Sequence, residues 1–95
     1  MQPLKAVMNS DKSLLTFPCE FPIKAMGKAD DDFDALVVAL IRKHSPDLTE
    51  GAVKSRHSNG GRFVSVTVTI QAESREQLDN IYMDLSAEKR ILMAL

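Results

Sequence analysis

Cysteine and histidine, whose side chains often support catalysis or bind a metal, are few in this 95-residue chain, which has one cysteine, Cys19, and two histidines, His44 and His57. A single cysteine permits neither an internal disulfide nor a zinc site built from several thiolates. Cys19 has only Glu20 nearby for charge, which does not favour a thiolate. No Asp or Glu lies near either histidine at a spacing that would indicate a catalytic or metal-binding pair. We therefore interpret His44 as a cation at a helix C-terminus and His57 as a residue near a hairpin tip.

Four aspartates within residues 30–34 resemble an acidic metal cluster. A calcium loop would need ligands at alternate positions and a distal glutamate, and neither is present. Apolar residues at helical spacing follow from Phe33, so the carboxylates fit the start of a helix, where they complement its dipole. We predict a solvated capping face here, with no metal and no cofactor.

A third candidate site is a set of basic and hydroxyl side chains predicted to share the open face of a β-sheet. It consists of Lys24, Lys54, Arg56, Arg62, Ser65 and Thr67. Residues 51–62 contain three basic groups and no acid. Such a face could hold a small anionic ligand or an acidic protein partner. A plain solvated sheet surface is the alternative interpretation.

The segment that must position this set is Arg62 to Ala72, which has the longest regular alternation of apolar with mostly polar residues in the chain. A period of two predicts a strand with a valine-rich core face and a hydroxylated open face. Asn59-Gly60-Gly61 precedes it and predicts a hairpin with a short strand over residues 52–58. Residues 19–28 are predicted as the first strand, with Lys24 outward.

The remaining elements are two helices and a last strand. Apolar residues from Phe33 to Ile41 predict a first helix that stops before Ser45-Pro46. Ser74 and Gln77 form a capping box that opens a second helix ending near Ala87. Residues 89–95 are predicted as the fourth strand. The order predicts an α+β, ferredoxin-like βαββαβ sandwich, with a four-stranded antiparallel sheet in the order fourth, first, third, second and both helices on one face. We expect one domain over residues 17–95 and a flexible tail over 1–16.

Bulk properties narrow the functional classes. The formal net charge of −1 does not favour nucleic-acid binding, and the open face carries only Phe63 where an RNA-recognition motif needs several stacking aromatics. RNA binding is therefore the weaker alternative. No signal-peptide core and no run of about 18 apolar residues is present, so we expect a cytoplasmic protein with no membrane partner.

Three sequence motifs resemble a known family. They are Phe17-Pro18-x-x-Phe21-x-x-Lys24-x-Met26-Gly27, the asparagine-glycine hairpin leading to Ser65-Val66-x-Val68, and Ile81-Tyr82-x-x-Leu85. Together they resemble the YbeD-like family of small uncharacterised bacterial proteins, over residues 15–95. The resemblance implies a ferredoxin-like fold similar to ACT-type regulatory domains, a cytoplasmic location and a link through gene neighbourhood to lipoate metabolism. It implies no activity and no catalytic residues.

We therefore expect a non-enzymatic regulatory or adaptor module that acts through the open sheet face or an edge strand. The alternative is an ACT-like dimeric sensor of small molecules. In the last strand, Ile91, Met93 and Leu95 alternate with Leu92 and Ala94, so both faces are apolar, and an apolar edge strand favours a homodimer.

Overall fold

The computed structural model describes residues 15–95, and its elements follow the predicted βαββαβ order. They are β1 (Cys19–Lys28), α1 (Phe33–Arg42), β2 (Val53–His57), β3 (Phe63–Ala72), α2 (Arg75–Ala87) and β4 (Ile91–Ala94), with one turn of 3-10 helix over Glu50–Ala52. The predicted tail over 1–16 lies outside the described residues except for Leu15 and Thr16. Leu15 packs against the core.

The sheet has the order β2-β3-β1-β4 with every neighbour antiparallel, which is the predicted order. β1 and β3 form its centre and pair over ten residues, from Cys19 opposite Ala72 to Lys28 opposite Phe63. This register puts the side chains of Lys24 and Thr67 on one face and those of Ile23 and Val68 on the other.

The core lies between the sheet and the two helices. The even-numbered residues of β3 from Val64 to Ala72 are all buried, as the alternation predicted. Their helix partners are Phe33, Val37 and Ile41 on α1 and Leu78, Ile81 and Leu85 on α2. Leu36 and Leu40 of α1 are only partly buried, because the α1 stripe at a spacing of four residues runs through Phe33, Val37 and Ile41.

Two local sequence signals, the helix cap at Ser74 and the glycine turn before β3, have counterparts in the structure. The Ser74 hydroxyl accepts the N–H of Gln77 at 3.0 Å, so the predicted cap is formed. The Gln77 side-chain oxygen accepts the N–H of Glu73 at 2.7 Å, one residue before the N-cap N–H that a capping box uses. In the β2–β3 hairpin, Gly60 and Gly61 have φ values of 85° and 72°. Only glycine adopts this left-handed conformation without strain, which explains the Gly-Gly pair.

β4 departs from the predicted alternation. Met26 pairs with Met93, but Gly27 pairs with Ile91, so Leu92 is an extra residue and the strand contains a β-bulge. The bulge places Ile91 in the core and leaves Leu92, Met93 and Leu95 exposed. The expectation that Ile91, Met93 and Leu95 share a face was therefore wrong.

Candidate functional site

The open face of the sheet brings most of the predicted basic and hydroxyl residues into two rows. Lys54, Thr67 and Lys24 lie opposite one another on β2, β3 and β1. In the next row, Arg56 lies opposite Ser65. Three of the basic and two of the hydroxyl residues predicted for this face are thus neighbours, across three strands joined by backbone hydrogen bonds.

These residues form a band along β3 in which short side chains lie between long ones, and we call this band the trough. Its floor consists of Ser65, Thr67 and Thr69, which are half-buried, whereas Lys24, Lys54 and Arg56 on either side are exposed. Short hydroxyl side chains on the central strand stand between long cationic ones on its neighbours. The Cα positions of β2 and β1 are about 10 Å apart across β3, because adjacent strands are about 4.8 Å apart.

The cations along this trough have no carboxylate partner within 4.0 Å among residues 15–95. The ion pairs of the described region involve Lys43, His44, Arg75 and Arg90, which all lie at or near the helices. Arg62 lies in the hairpin loop, where its carbonyl accepts the N–H of Ala29 at 3.0 Å, so it is at the end of the face rather than within a row.

Sequence reasoning missed one basic residue of this face. Lys28 lies opposite Phe63 and therefore has the same orientation as Lys24. The alternation of β1 contained this information, because Lys24, Met26 and Lys28 share one parity. On the strands, the open face has four cations, Lys24, Lys28, Lys54 and Arg56, and one carboxylate, Glu20 opposite Gln71. Its charge is therefore positive, although the whole chain is slightly acidic.

The β4 side of the same face is apolar. Met26 lies opposite Met93, and the Lys24 and Leu95 backbones exchange hydrogen bonds of 3.1 and 2.8 Å. Met93 is 48% exposed and Leu95 is 62% exposed. A cleft of 190 Å³ separates Met26 from Phe63 and Arg56 at the hairpin end of the face. The open face thus carries cations along β2 and β1, and apolar side chains at Met26 and along β4.

The histidines remain apart from each other, but His44 has a partner that the sequence did not reveal. Its Nε2 lies 2.7 Å from a carboxylate oxygen of Asp84 on α2, and Lys43 is 3.4 Å from the same oxygen. Hydrogen bonding to His44, followed by the Lys43 interactions, holds the pKa of Asp84 below its ordinary value of 3.8. Gln77 donates to the His44 carbonyl at 2.7 Å, so the group ties the end of α1 to α2. His57, the last residue of β2, is exposed.

The aspartate run is exposed, as predicted, but its role differs from helix capping. Asp32 is the N-cap residue of α1 and makes no side-chain cap hydrogen bond. Its carboxylate instead receives two hydrogen bonds from Arg90, at 2.6 and 3.2 Å, and Asp30 lies 3.6 Å from the same guanidinium. Arg90 lowers the pKa of Asp32 by this hydrogen bonding. The run therefore anchors the α2–β4 turn to the start of α1.

Other concave regions offer less chemistry. A groove of 480 Å³ lies between α1 and β2, lined by Ala35, Val38 and Val53, with acidic and basic groups at its rim. Its basic group, Arg42, donates to the Leu48 carbonyl at 3.2 Å and so holds the chain after α1. Within residues 15–95, no group of three or more His, Cys, Asp or Glu side chains could hold a metal ion. In the same region, no helix is long and apolar enough to cross a membrane.

These features define a small ferredoxin-like α+β protein with both helices on one face of its sheet and a basic, hydroxyl-lined trough on the other. Residues 12–95 match the family model described as "Protein of unknown function (DUF493)". The chain belongs to this family, which confirms the predicted resemblance.

Its relatives are bacterial proteins of similar length. A UPF0250 protein of Chromobacterium violaceum is 46% identical over 89 residues, which cover 93% of this chain and all of that one. A UPF0250 protein of Azotobacter vinelandii is 46% identical over 82 residues, covering 85% and 89% of the two chains. The solution structure of protein HP0495 from H. pylori superposes with a TM-score of 0.67, at 16% identity, over 96% of this chain and 98% of that one. This last likeness confirms the fold.

Proposed function

We propose that the protein is a non-enzymatic binding module whose open sheet face holds an anionic partner. The observation that carries the proposal is the trough, where Lys24, Lys54 and Arg56 surround Ser65 and Thr67 without a carboxylate partner among the described residues. Cations with no internal partner remain available to a carboxylate or phosphate. The hydroxyl groups between them can donate hydrogen bonds to the same anion.

We extend the proposal to a regulatory or adaptor role in the bacterial cytoplasm. The family resemblance implies lipoate metabolism as the place to look for the partner. A regulator or adaptor of this kind acts by binding another molecule, and the open face supplies the surface for that contact. Two titratable pairs of the described region, His44 with Asp84 and Arg90 with Asp32, join separate segments of the fold, which favours a structural role for them over a catalytic one.

The test of this proposal is a titration of the ¹⁵N-labelled protein with two defined anions, tripolyphosphate and hexaglutamate. The amide signals of Lys24, Lys54 and Thr67 should shift with saturating curves. The variant Lys54→Glu with Arg56→Glu should weaken the apparent Kd about tenfold or more, because two charge-assisted contacts become repulsive. The matched control is Arg75→Glu with Lys89→Glu, an equal charge change on the helix side.

The titration can refute the proposal in two ways. Equal weakening in the control would mean that net charge governs binding and that the trough has no role. An absence of shifts along β1, β2 and β3 with both anions would remove the open face as an anion-binding surface.

A homodimer that senses a small molecule is the second candidate function. It is supported by the exposure of Leu92, Met93 and Leu95, which are 60%, 48% and 62% exposed, on an edge strand. Apolar side chains on an unpaired edge favour association with a second copy. Light scattering should then give a dimer mass that Leu92→Glu converts to a monomer. A monomer mass for the wild-type protein across the micromolar range would eliminate this candidate.

A further inference from the structure

The dimensions of the trough suggest what kind of anionic partner it fits. With Phe63 at one end and the floor residue Thr69 at the other, it covers seven residues of β3, or about 20 Å of strand. Its walls, the side chains of β2 and β1, rise from strands about 10 Å apart. An α-helix is about 10–12 Å in diameter and covers 20 Å with about 13 residues. The trough therefore has the width and length of a three- to four-turn helix.

Two sides of the trough differ in character, and this difference defines the partner's side chains. The β2 wall is cationic, with Lys54 and Arg56. On the opposite side, β1 carries Met26 between Lys24 and Lys28, and Met93 and Leu95 beyond β1 are apolar and exposed. A helix that fits both sides carries acidic residues on one flank and apolar residues on the other.

Backbone hydrogen bonding favours a helix over an extended segment. An extended chain lying on the face of a sheet would have to pair its N–H and C=O groups with the hydroxyl groups of Ser65, Thr67 and Thr69 or with water. A helix satisfies its own backbone groups and presents only side chains to the surface.

We infer that the open face binds an amphipathic helix of a protein partner, with acidic residues against Lys54 and Arg56 and apolar residues against Met26, Met93 and Leu95. This inference rests on the proposed function and adds the class of partner. One apolar side chain of the helix enters the 190 Å³ cleft beside Phe63. The occupied sheet would then be covered by helices on both faces.

The inference can be tested with three fluorescent 16-residue peptides and fluorescence anisotropy. The first has a glutamate stripe and a leucine stripe on adjacent helix flanks, the second has the same composition in scrambled order, and the third has lysine in place of glutamate. We expect the striped peptide to bind at least tenfold more tightly than the scrambled one, and the lysine peptide not to bind. Circular dichroism should show that the striped peptide gains helix on binding.

Variants of the protein locate the contact. Thr67→Trp fills the trough floor without changing its charge and should abolish binding of the striped peptide. Met93→Ser should weaken it several-fold, whereas Met83→Ser, at an exposed methionine of α2, should leave it unchanged. The thermal unfolding of each variant shows that it is folded.

The outcomes distinguish failure of the helix inference from failure of the anion-binding function on which it rests. Equal affinity for the striped and scrambled peptides would overturn the helix inference and leave the anion-binding function in place. Retention of full affinity by folded Thr67→Trp would also overturn it. Failure of every acidic peptide and of tripolyphosphate to bind would overturn both. Tighter binding of a single-stranded RNA than of the striped peptide would make nucleic acid, and not a protein helix, the occupant.

Discussion

Replacing Gly27 with alanine should destabilise the protein strongly, although the change adds only one methyl group. Gly27 is a buried residue of β1, adjacent to the register shift between β1 and β4. A Cβ atom at this position would lie 2.5 Å from the carbonyl oxygen of Arg90 and 2.7 Å from Cζ of Phe33. Neither neighbour can move freely, because Arg90 O belongs to the backbone that leads into β4 and the Phe33 ring is 1% exposed.

The cost can be estimated from these distances. Restoring ordinary van der Waals contact requires a displacement of roughly 1 Å in a close-packed interior. Overpacking of this kind costs about 1–3 kcal/mol, and a backbone neighbour favours the upper half of that range. Alanine offsets about 0.4–1 kcal/mol by restricting the unfolded chain. The net loss should be about 2 kcal/mol, which lowers Tm by roughly 10 °C in a domain of this size.

Urea unfolding followed by far-UV circular dichroism measures this loss as a change in the free energy of unfolding. Gly51→Ala is the matched control, because a Cβ at Gly51 meets nothing within 4 Å. Gly51→Ala should be neutral or stabilising by up to about 1 kcal/mol. A free energy of unfolding for Gly27→Ala within about 0.5 kcal/mol of the wild type would refute the close contact between β1 and the chain entering β4.

Three further variants test other parts of the structure by thermal and urea unfolding. Ser74→Ala removes the hydroxyl that caps α2 and should cost about 1 kcal/mol, whereas Ser74→Asp should restore most of that loss; equal stability of all three proteins would contradict the cap. Gly60→Ala forces a side chain into a φ of 85° and should cost about 1–2 kcal/mol, with Gly60→Asn nearer to the wild type. The folded-state pKa of Asp84 lies below 3.8, so its bond to His44 contributes stability above that pH and loses it as the pH falls through the folded pKa. Asp84→Asn should therefore be less stable than the wild type at pH 6, and the difference should shrink as the pH is lowered towards 2; a difference that stays constant over this range would contradict the linkage.

Short-range patterns in the sequence were sufficient to predict the elements and their order. The alternation around Val66 defined the core face of β3, and Ser74 with Gln77 defined the start of α2, because both signals involve residues only two to three positions apart. The Asn-Gly-Gly turn then fixed the hairpin. With element types and connections known, few topologies remain for a chain of this length.

Contacts between distant segments could not be predicted in this way. His44 and Asp84 are 40 residues apart, and Arg90 and Asp32 are 58 residues apart. No spacing in one sequence indicates such pairs, because they depend on how two elements are packed. The β4 bulge at Leu92 also has no local signal, since Ile91 to Leu95 is uniformly apolar. The register shift accompanies the close contact of Gly27 with Arg90, which only the folded chain reveals.

Both the sequence alternation and the folded structure place basic and apolar side chains on the open face, although the packing of the core does not require them there. A sheet face that is only solvated needs no excess of one charge. The strands here nevertheless carry four cations on this face, Lys24, Lys28, Lys54 and Arg56, and a single acid, Glu20. Two acids, Asp32 and Asp84, instead pair with Arg90 and His44 on the helix side. Lys24 and Lys54 lie about 10 Å apart on either side of β3, so their like charges contribute nothing to the stability of the fold. For this surface, with exposed Met93 and Leu95 beside its cations, we propose an anionic partner with an apolar side.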